Sequence, residues 1–156
     1  MLKPELYLSN FLLFRELEVL RFKKITPSTA LVVTKSKFEY GVCPRCASKC
    51  FKTHQKRLVK IKDAPVRGIL FIIQIHKRRF KCEFCRKVFT EAITGIRSGH
   101  RSTERLKRNI LWACTKFKSI KDVCIDLRVS PSMVYKVFYK HLEIEVKRKI
   151  NYEWPK

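Results

Sequence analysis

Acidic residues are scarce in this sequence: 13 Asp and Glu stand against 36 Lys and Arg in 156 residues, a formal net charge of +23. That imbalance excludes an acidic binding protein and points to a polyanionic partner. Long apolar runs are also missing. No apolar run exceeds five residues, as in Ile69-Leu70-Phe71-Ile72-Ile73, far short of the roughly 20 that a spanning helix needs, so no membrane association is expected. Met1 to Phe14 contains Glu5 and Asn10 and no small-residue cleavage site, which speaks against an export signal; a cytoplasmic protein is expected and, with this charge, a nucleoid-associated one. No internal repeat or low-complexity stretch divides the chain. A disordered basic tail is excluded too, because 46% of the residues are apolar and 12% aromatic.

The positive charge is uneven. Residues 42–90 hold fourteen Lys and Arg against Asp63 and Glu83, and residues 97–149 hold fourteen against five acids. Residues 1–41 are much closer to balance, with seven against four. Within that first part, Tyr7 to Phe14 fits a short apolar helix or a strand. Leu17 to Phe22 alternates, Thr26-Pro27-Ser28 supplies a turn, and Ala30 to Thr34 reads as a second strand, so a β-hairpin is expected. Two further strands are expected over Thr53–Ile61 and Ile69–Phe80. The segment Thr94 to Gly99, holding two of the four glycines, is the natural joint.

Beyond it the period becomes helical. Leu106, Ile110, Ala113, Cys114 and Phe117 form one face of a first helix. Ile120, Val123, Cys124 and Leu127 form a second, opened by Ser119 as N-cap. A third begins at Ser130, with Pro131 in its first turn, and buries Val134, Val137, Phe138 and Leu142. The fold class is therefore α+β: an N-terminal β-hairpin segment (1–41), a ribbon (42–94), a three-helix helix-turn-helix unit (97–149) and a short linker (150–156).

Seven cysteines are present. Four stand as Cys43-Pro44-Arg45-Cys46 and Cys82-Glu83-Phe84-Cys85, separated by the two expected strands. One hairpin would bring the pairs together as two knuckles offering four thiolates to a tetrahedral zinc ion, a zinc ribbon. Neighbouring Lys and Arg favour the thiolate form. A redox Cys-x-x-Cys motif and an iron site use the same sulfurs and remain alternatives. Cys50 and His54 are candidate substitute ligands, while Cys114 and Cys124 fall on apolar helix faces and read as core.

Two surfaces could meet DNA. Lys77, Arg78, Arg79 and Lys81 form a basic strand beside the second cysteine pair, and Arg101 and Arg105 follow; all six are candidate phosphate contacts. On the third helix Ser132, Tyr135, Lys136, Tyr139 and Lys140 lie opposite the apolar stripe, which places Ser132, Tyr135, Lys136 and Lys140 nearest to base edges in a major groove. Arg128 occupies a turn position where glycine is common, which counts against an ideal turn.

The order of hairpin, Cys-Pro-x-Cys, Asp63-Ala64-Pro65, Gly68, Arg78-Arg79-Phe80-Lys81-Cys82, Cys85, Phe89-Thr90-Glu91 and helix-turn-helix resembles the N-terminal half of insertion-sequence transposases of the ISL-three type. The resemblance implies that the ribbon and helices recognise the terminal inverted repeats of a mobile element. It also implies that strand chemistry resides in an RNase H-like domain with an Asp-Asp-Glu triad. Only Asp63, Asp122 and Asp126 exist here, the last two on a short helix, and Asn151 to Lys156 looks like the approach to a first catalytic strand. The expectation is thus a non-enzymatic, DNA-binding part of a transposase, truncated or a fragment, with one structural zinc, double-stranded DNA as partner and homodimerisation left open. A stand-alone regulator or an RNA-binding ribbon is the alternative.

Overall fold

The computed structural model describes residues 14–116 and 119–150. Among the described residues seven strands come first: β1 (Leu17–Thr26), β2 (Thr29–Ser36), β3 (Gly41–Val42), β4 (Lys49–Cys50), β5 (Thr53–Lys62), β6 (Leu70–Lys81) and β7 (Val88–Thr90). Three helices follow: α1 (Glu104–Thr115), α2 (Ile120–Leu127) and α3 (Pro131–Ile150). The chain forms two compact units, Met1–Glu104 and Arg105–Lys156. The expected apolar segment Tyr7–Phe14 (Phe14 aside), Phe117 and residues 151–156 lie outside the described residues.

In the first unit five strands make one mixed sheet in the order β1-β2-β6-β5, with β7 also paired to β6. β1 and β2 form the expected antiparallel hairpin, with a bulge between Val19 and Arg21. β5 and β6 form a second hairpin, closed by Arg67 and Gly68 at φ 50° and 76°. Val66 and Ile69 exchange backbone hydrogen bonds across those two residues, which gives a two-residue turn of the positive-φ kind that suits right-twisted strands. The hairpins are joined by parallel pairing of Thr29–Thr34 with Leu70–Ile75. Segments 1–41 and 42–94, which differ in charge, thus share one sheet.

One face of that sheet is packed. Val19, Ala30, Val32 and Phe71 form one buried cluster, and Leu17, Ile61, Ile73, Ile75, Ile93 and Ile96 form another. At the end of β5 the buried Asp63 accepts hydrogen bonds from the Ala64 amide and the Thr103 hydroxyl. The Lys62 amide donates to the Arg101 carbonyl, and the Thr103 amide donates back to the Lys62 carbonyl. The 101–103 segment is therefore tied to the sheet, not loosely attached.

The second unit is built as the periodicity predicts at its start. Leu106, Ile110, Ala113, Val123, Leu127, Val129 and Val134 form its core, with Cys114 and Cys124 packed against it. Ser119 caps α2, its Oγ accepting from the Asp122 amide at 3.1 Å. Arg128 ends α2 in the left-handed region, φ 51° and ψ 44°, and a three-residue connection leads to α3. The expectation fails further along α3: Leu142 is 39% exposed, and Ile144 and Val146 are exposed too. The 8-residue α2 rises only about 12 Å, too short to run alongside the whole of the 20-residue α3. None of these helices is long and apolar enough to cross a membrane.

Candidate metal centre and basic surface

Each cysteine pair sits in the loop of a small antiparallel hairpin. β3 and β4 flank Cys43–Cys46, and β6 and β7 flank Cys82–Cys85. The two loops repeat one geometry. The Cys43 amide donates to the Ser48 carbonyl and the Cys82 amide to the Lys87 carbonyl, both at 2.9 Å. The residue after the second cysteine takes positive φ in each, Ala47 at 56° and Arg86 at 57°.

Phe80 and Phe89 lie opposite each other on β6 and β7, stack at 5.7 Å, and form a small core with Cys43, Cys50 and Cys82. Gly41 is required beside them, because an added Cβ would sit 2.6 Å from the Phe80 ring. That aromatic floor fixes where the sulfurs point.

The four sulfurs converge. Cys43 Sγ lies 3.5 Å from Cys85 Sγ, Cys46 Sγ lies 3.5 Å from Cys82 Sγ and 3.7 Å from Cys85 Sγ, and all four fall within 4.8 Å of one another. A tetrahedron with zinc–sulfur bonds of about 2.3 Å has sulfurs about 3.8 Å apart. The donor set therefore fits a tetrahedral thiolate ion, and it is the one such group among the described residues.

The electrostatics agree. Amide hydrogen bonds from Cys85, then the Ser48 hydroxyl, draw the Cys82 thiol down to about 5. Burial pushes the Cys43 thiol up, but the amides of Arg45 and Cys46 and hydrogen bonds with the Cys85 and Cys46 side chains together bring it below its ordinary value. At Cys85 the Lys87 amide pulls down, but burial and three neighbouring sulfurs prevail and push it up to about 11. Four sulfurs this close cannot all be anionic alone; a divalent cation among them removes the conflict.

Two residues that the sequence offered as substitute ligands stay outside the group. Cys50 is buried and its thiol points to the Ser48 carbonyl, 3.8 Å away, and His54 is exposed on β5. One contributor carries no motif of its own: Ser48, whose Oγ lies 3.0 Å from Cys46 Sγ and 3.1 Å from Cys82 Sγ. It can donate to a sulfur of either knuckle. Its signal is its place two residues beyond Cys46, where the left-handed turn brings it back over the sulfurs.

The basic strand divides by alternation. Lys77 continues the inward stripe of Phe71, Ile73 and Ile75 and is only 8% exposed; burial lowers its pKa, partly offset by Glu91. Arg78 falls between the β2-paired and β7-paired stretches of β6. Its Nη2 and Nε donate to Glu91 Oε2 at 2.8 and 3.0 Å, and its guanidinium also donates to the Phe38 and Glu39 carbonyls. Neither side chain faces solvent as a phosphate contact requires. Arg79 is half-buried beside Gln55, and Lys81 is exposed.

Lys81 borders an open cleft of about 620 Å³ that also involves Lys52, His54, Glu83 and Arg86. Arg101 is exposed and Arg105 half-buried. On α3, Ser132, Tyr135, Lys136 and Lys140 are exposed, with Tyr135 stacked on Tyr139 at 5.9 Å.

Residues 39–85 match a protein family described as zinc-finger of transposase IS204/IS1001/IS1096/IS1165. The matched span contains both knuckles and the β5–β6 hairpin between them. No curated protein and no solved structure matches the chain. The chain contains a zinc ribbon similar to that of these transposases, and Cys43, Cys46, Cys82 and Cys85 hold one structural zinc ion.

Proposed function

We propose that this chain is the DNA-binding, N-terminal part of an insertion-sequence transposase, and that it recognises the terminal inverted repeats of its element. The observation that carries the reading is the ribbon match, which spans all four cysteines and the basic hairpin between them. The helical unit supports it. A short helix, a turn opening on left-handed Arg128 and a longer helix have the order of a helix-turn-helix, in which the second helix enters the major groove. On that helix Ser132, Tyr135, Lys136 and Lys140 present hydroxyls, rings and ammonium groups to solvent, the chemistry that base edges and phosphates require.

In this reading zinc is structural, four thiolates filling its coordination, and Arg79, Lys81, Arg101 and Arg105 add phosphate contacts. Inverted repeats offer two copies of one site, so a pair of chains would occupy them. Two of the three aspartates have other work: Asp63 holds Ala64 and Thr103, and Asp122 belongs to the Ser119 cap. Strand chemistry would then belong to a separate catalytic domain, and these residues would supply recognition.

Fluorescence anisotropy on a terminal-repeat duplex and a scrambled duplex tests this. The chain should prefer the repeat. Tyr135→Ala and Lys136→Ala should each reduce that preference by about 1–3 kcal/mol where the side chain reads a base. Equal affinity of the wild-type chain for both duplexes, or stronger binding to RNA, would overturn it.

A further inference from the structure

The sheet of the first unit has a second face, and its residues follow from the strand register. Lys23 pairs with Leu31, Leu31 with Ile72, and Ile72 with Lys62. One step along, Arg21 pairs with Val33, Val33 with Gln74, and Gln74 with Lys60. Partners in register share a face, so two rows cross the sheet from edge to edge. Each begins and ends on a cation. Lys56, opposite Arg78, extends the β5 margin.

These five cations are exposed, while Leu31, Val33, Ile72 and Gln74 between them are half-buried. The acids that register places on this face are both already ion-paired, Glu18 with Lys35 at 3.2 Å and Glu91 with Arg78 at 2.8 Å. The bulge at Leu20 makes this arrangement, because it turns Arg21 and Lys23 away from the side on which Leu17 and Val19 are buried.

Charged edge strands are a common protection against sheet-to-sheet pairing, but either sign would serve that purpose. Here both margins are positive and aligned row by row, with an apolar strip between them. Three strand spacings of about 4.8 Å place the margins about 14 Å apart, close to a B-DNA major groove about 12 Å wide. From Lys56 to Lys62 the β5 margin runs about 20 Å.

We infer that this open face is a second DNA-binding surface, laid across a groove of the duplex, with Arg21 and Lys23 on one phosphate backbone and Lys56, Lys60 and Lys62 on the other. The inference rests on the DNA-binding reading above and adds a surface to it. It makes the sheet, and not only the helices, part of the grip on DNA. It also moves the main phosphate contacts of the first unit from the β6 run to the sheet margins.

Two double variants with the same charge change test it. Lys23→Gln with Lys60→Gln removes one cation from each margin of the open face. Lys24→Gln with Arg57→Gln removes one exposed cation from each of the same strands on the opposite face, where Lys24 pairs with Ala30 and Arg57 with Lys77. Binding to duplex DNA is measured over a range of salt concentrations, with zinc content and circular dichroism as checks on folding.

The open-face pair should weaken binding and flatten the log–log salt dependence by roughly 1.8, about 0.9 for each phosphate no longer neutralised. The opposite-face pair should stay near wild type, and Lys23→Arg with Lys60→Arg should retain binding. Equal flattening by both glutamine pairs would overturn the inference and reduce the effect to net charge. So would an open-face effect confined to RNA or single-stranded DNA. A wild-type chain that binds no DNA would instead defeat the DNA-binding reading itself, and the two failures are distinguishable.

Discussion

Arg78 stands within a run of five residues of which four are basic, yet its charge is engaged inside the fold. It is 16% exposed and its partner Glu91 is 5% exposed. Glu91 also accepts from the Arg78 amide at 2.8 Å, so one carboxylate secures both the side chain and the backbone where β6 passes from β2 to β7. Removing it leaves a guanidinium half-enclosed with no countercharge. Glu91→Ala should cost about 3 kcal/mol in urea unfolding of the zinc-loaded chain. Glu18→Ala, which breaks an ion pair about half exposed on each side, should cost no more than about 1 kcal/mol. Equal effects would show that Arg78 is not held as described. None of this was legible in the sequence: Glu91 is 13 residues away, and a basic run reads as surface unless strand alternation is applied within it. That alternation turns Lys77 inward beside Ile75. Ser48 was hidden for a related reason, since its role depends on the left-handed turn at Ala47 and not on its residue type.

At the scale of elements, the knuckles and the α2–α3 connection share a device: a non-glycine residue held at positive φ. Ala47, Arg86 and Arg128 all do so, between 51° and 57°. Ala47 offers the cleanest measure, since its side chain is a single methyl group. Relief of the left-handed penalty is worth about 1–2 kcal/mol, against about 0.4–1 kcal/mol for the greater freedom of glycine in the unfolded chain. Ala47→Gly should therefore stabilise the ribbon by about 0.5 kcal/mol, read as a modest rise in the temperature at which zinc is released. A loss of stability would mean that the knuckle geometry differs. The elements themselves were mostly legible. Ser119 and Pro131 marked the helix starts, and the β1–β2 and β5–β6 hairpins were expected within a few residues. Arg128, which counted against an ideal turn, adopts the conformation that a glycine there would supply. Leu142 was misjudged because periodicity predicts a face but not how far a neighbouring helix reaches along it.

The whole first unit depends on a pairing that no local signal announces, the parallel alignment of β2 with β6. It unites the N-terminal hairpin with the strongly basic ribbon and creates the cation-edged open face. Charge segmentation made those parts look separate; the apolar rows of Ala30, Val32, Phe71 and Ile73 are what join them. The metal centre was the most legible feature of all, because four cysteines at knuckle spacing leave few other chemistries. It is also the feature on which the ribbon end of the sheet depends, for the core there consists of Cys43, Cys50, Phe80, Cys82 and Phe89 and little else. Without a cation the four sulfurs hold one another in conflicting protonation states, and so small a core does not sustain itself. The most direct test is the zinc content of the purified chain beside that of the Cys43→Ser, Cys82→Ser double variant, with hydrogen exchange followed across residues 41–90. One zinc per wild-type chain, none in the variant, and lost protection at 41–50 and 79–90 with the helices of 104–150 unchanged is the predicted result; full retention of zinc by the double variant would contradict it.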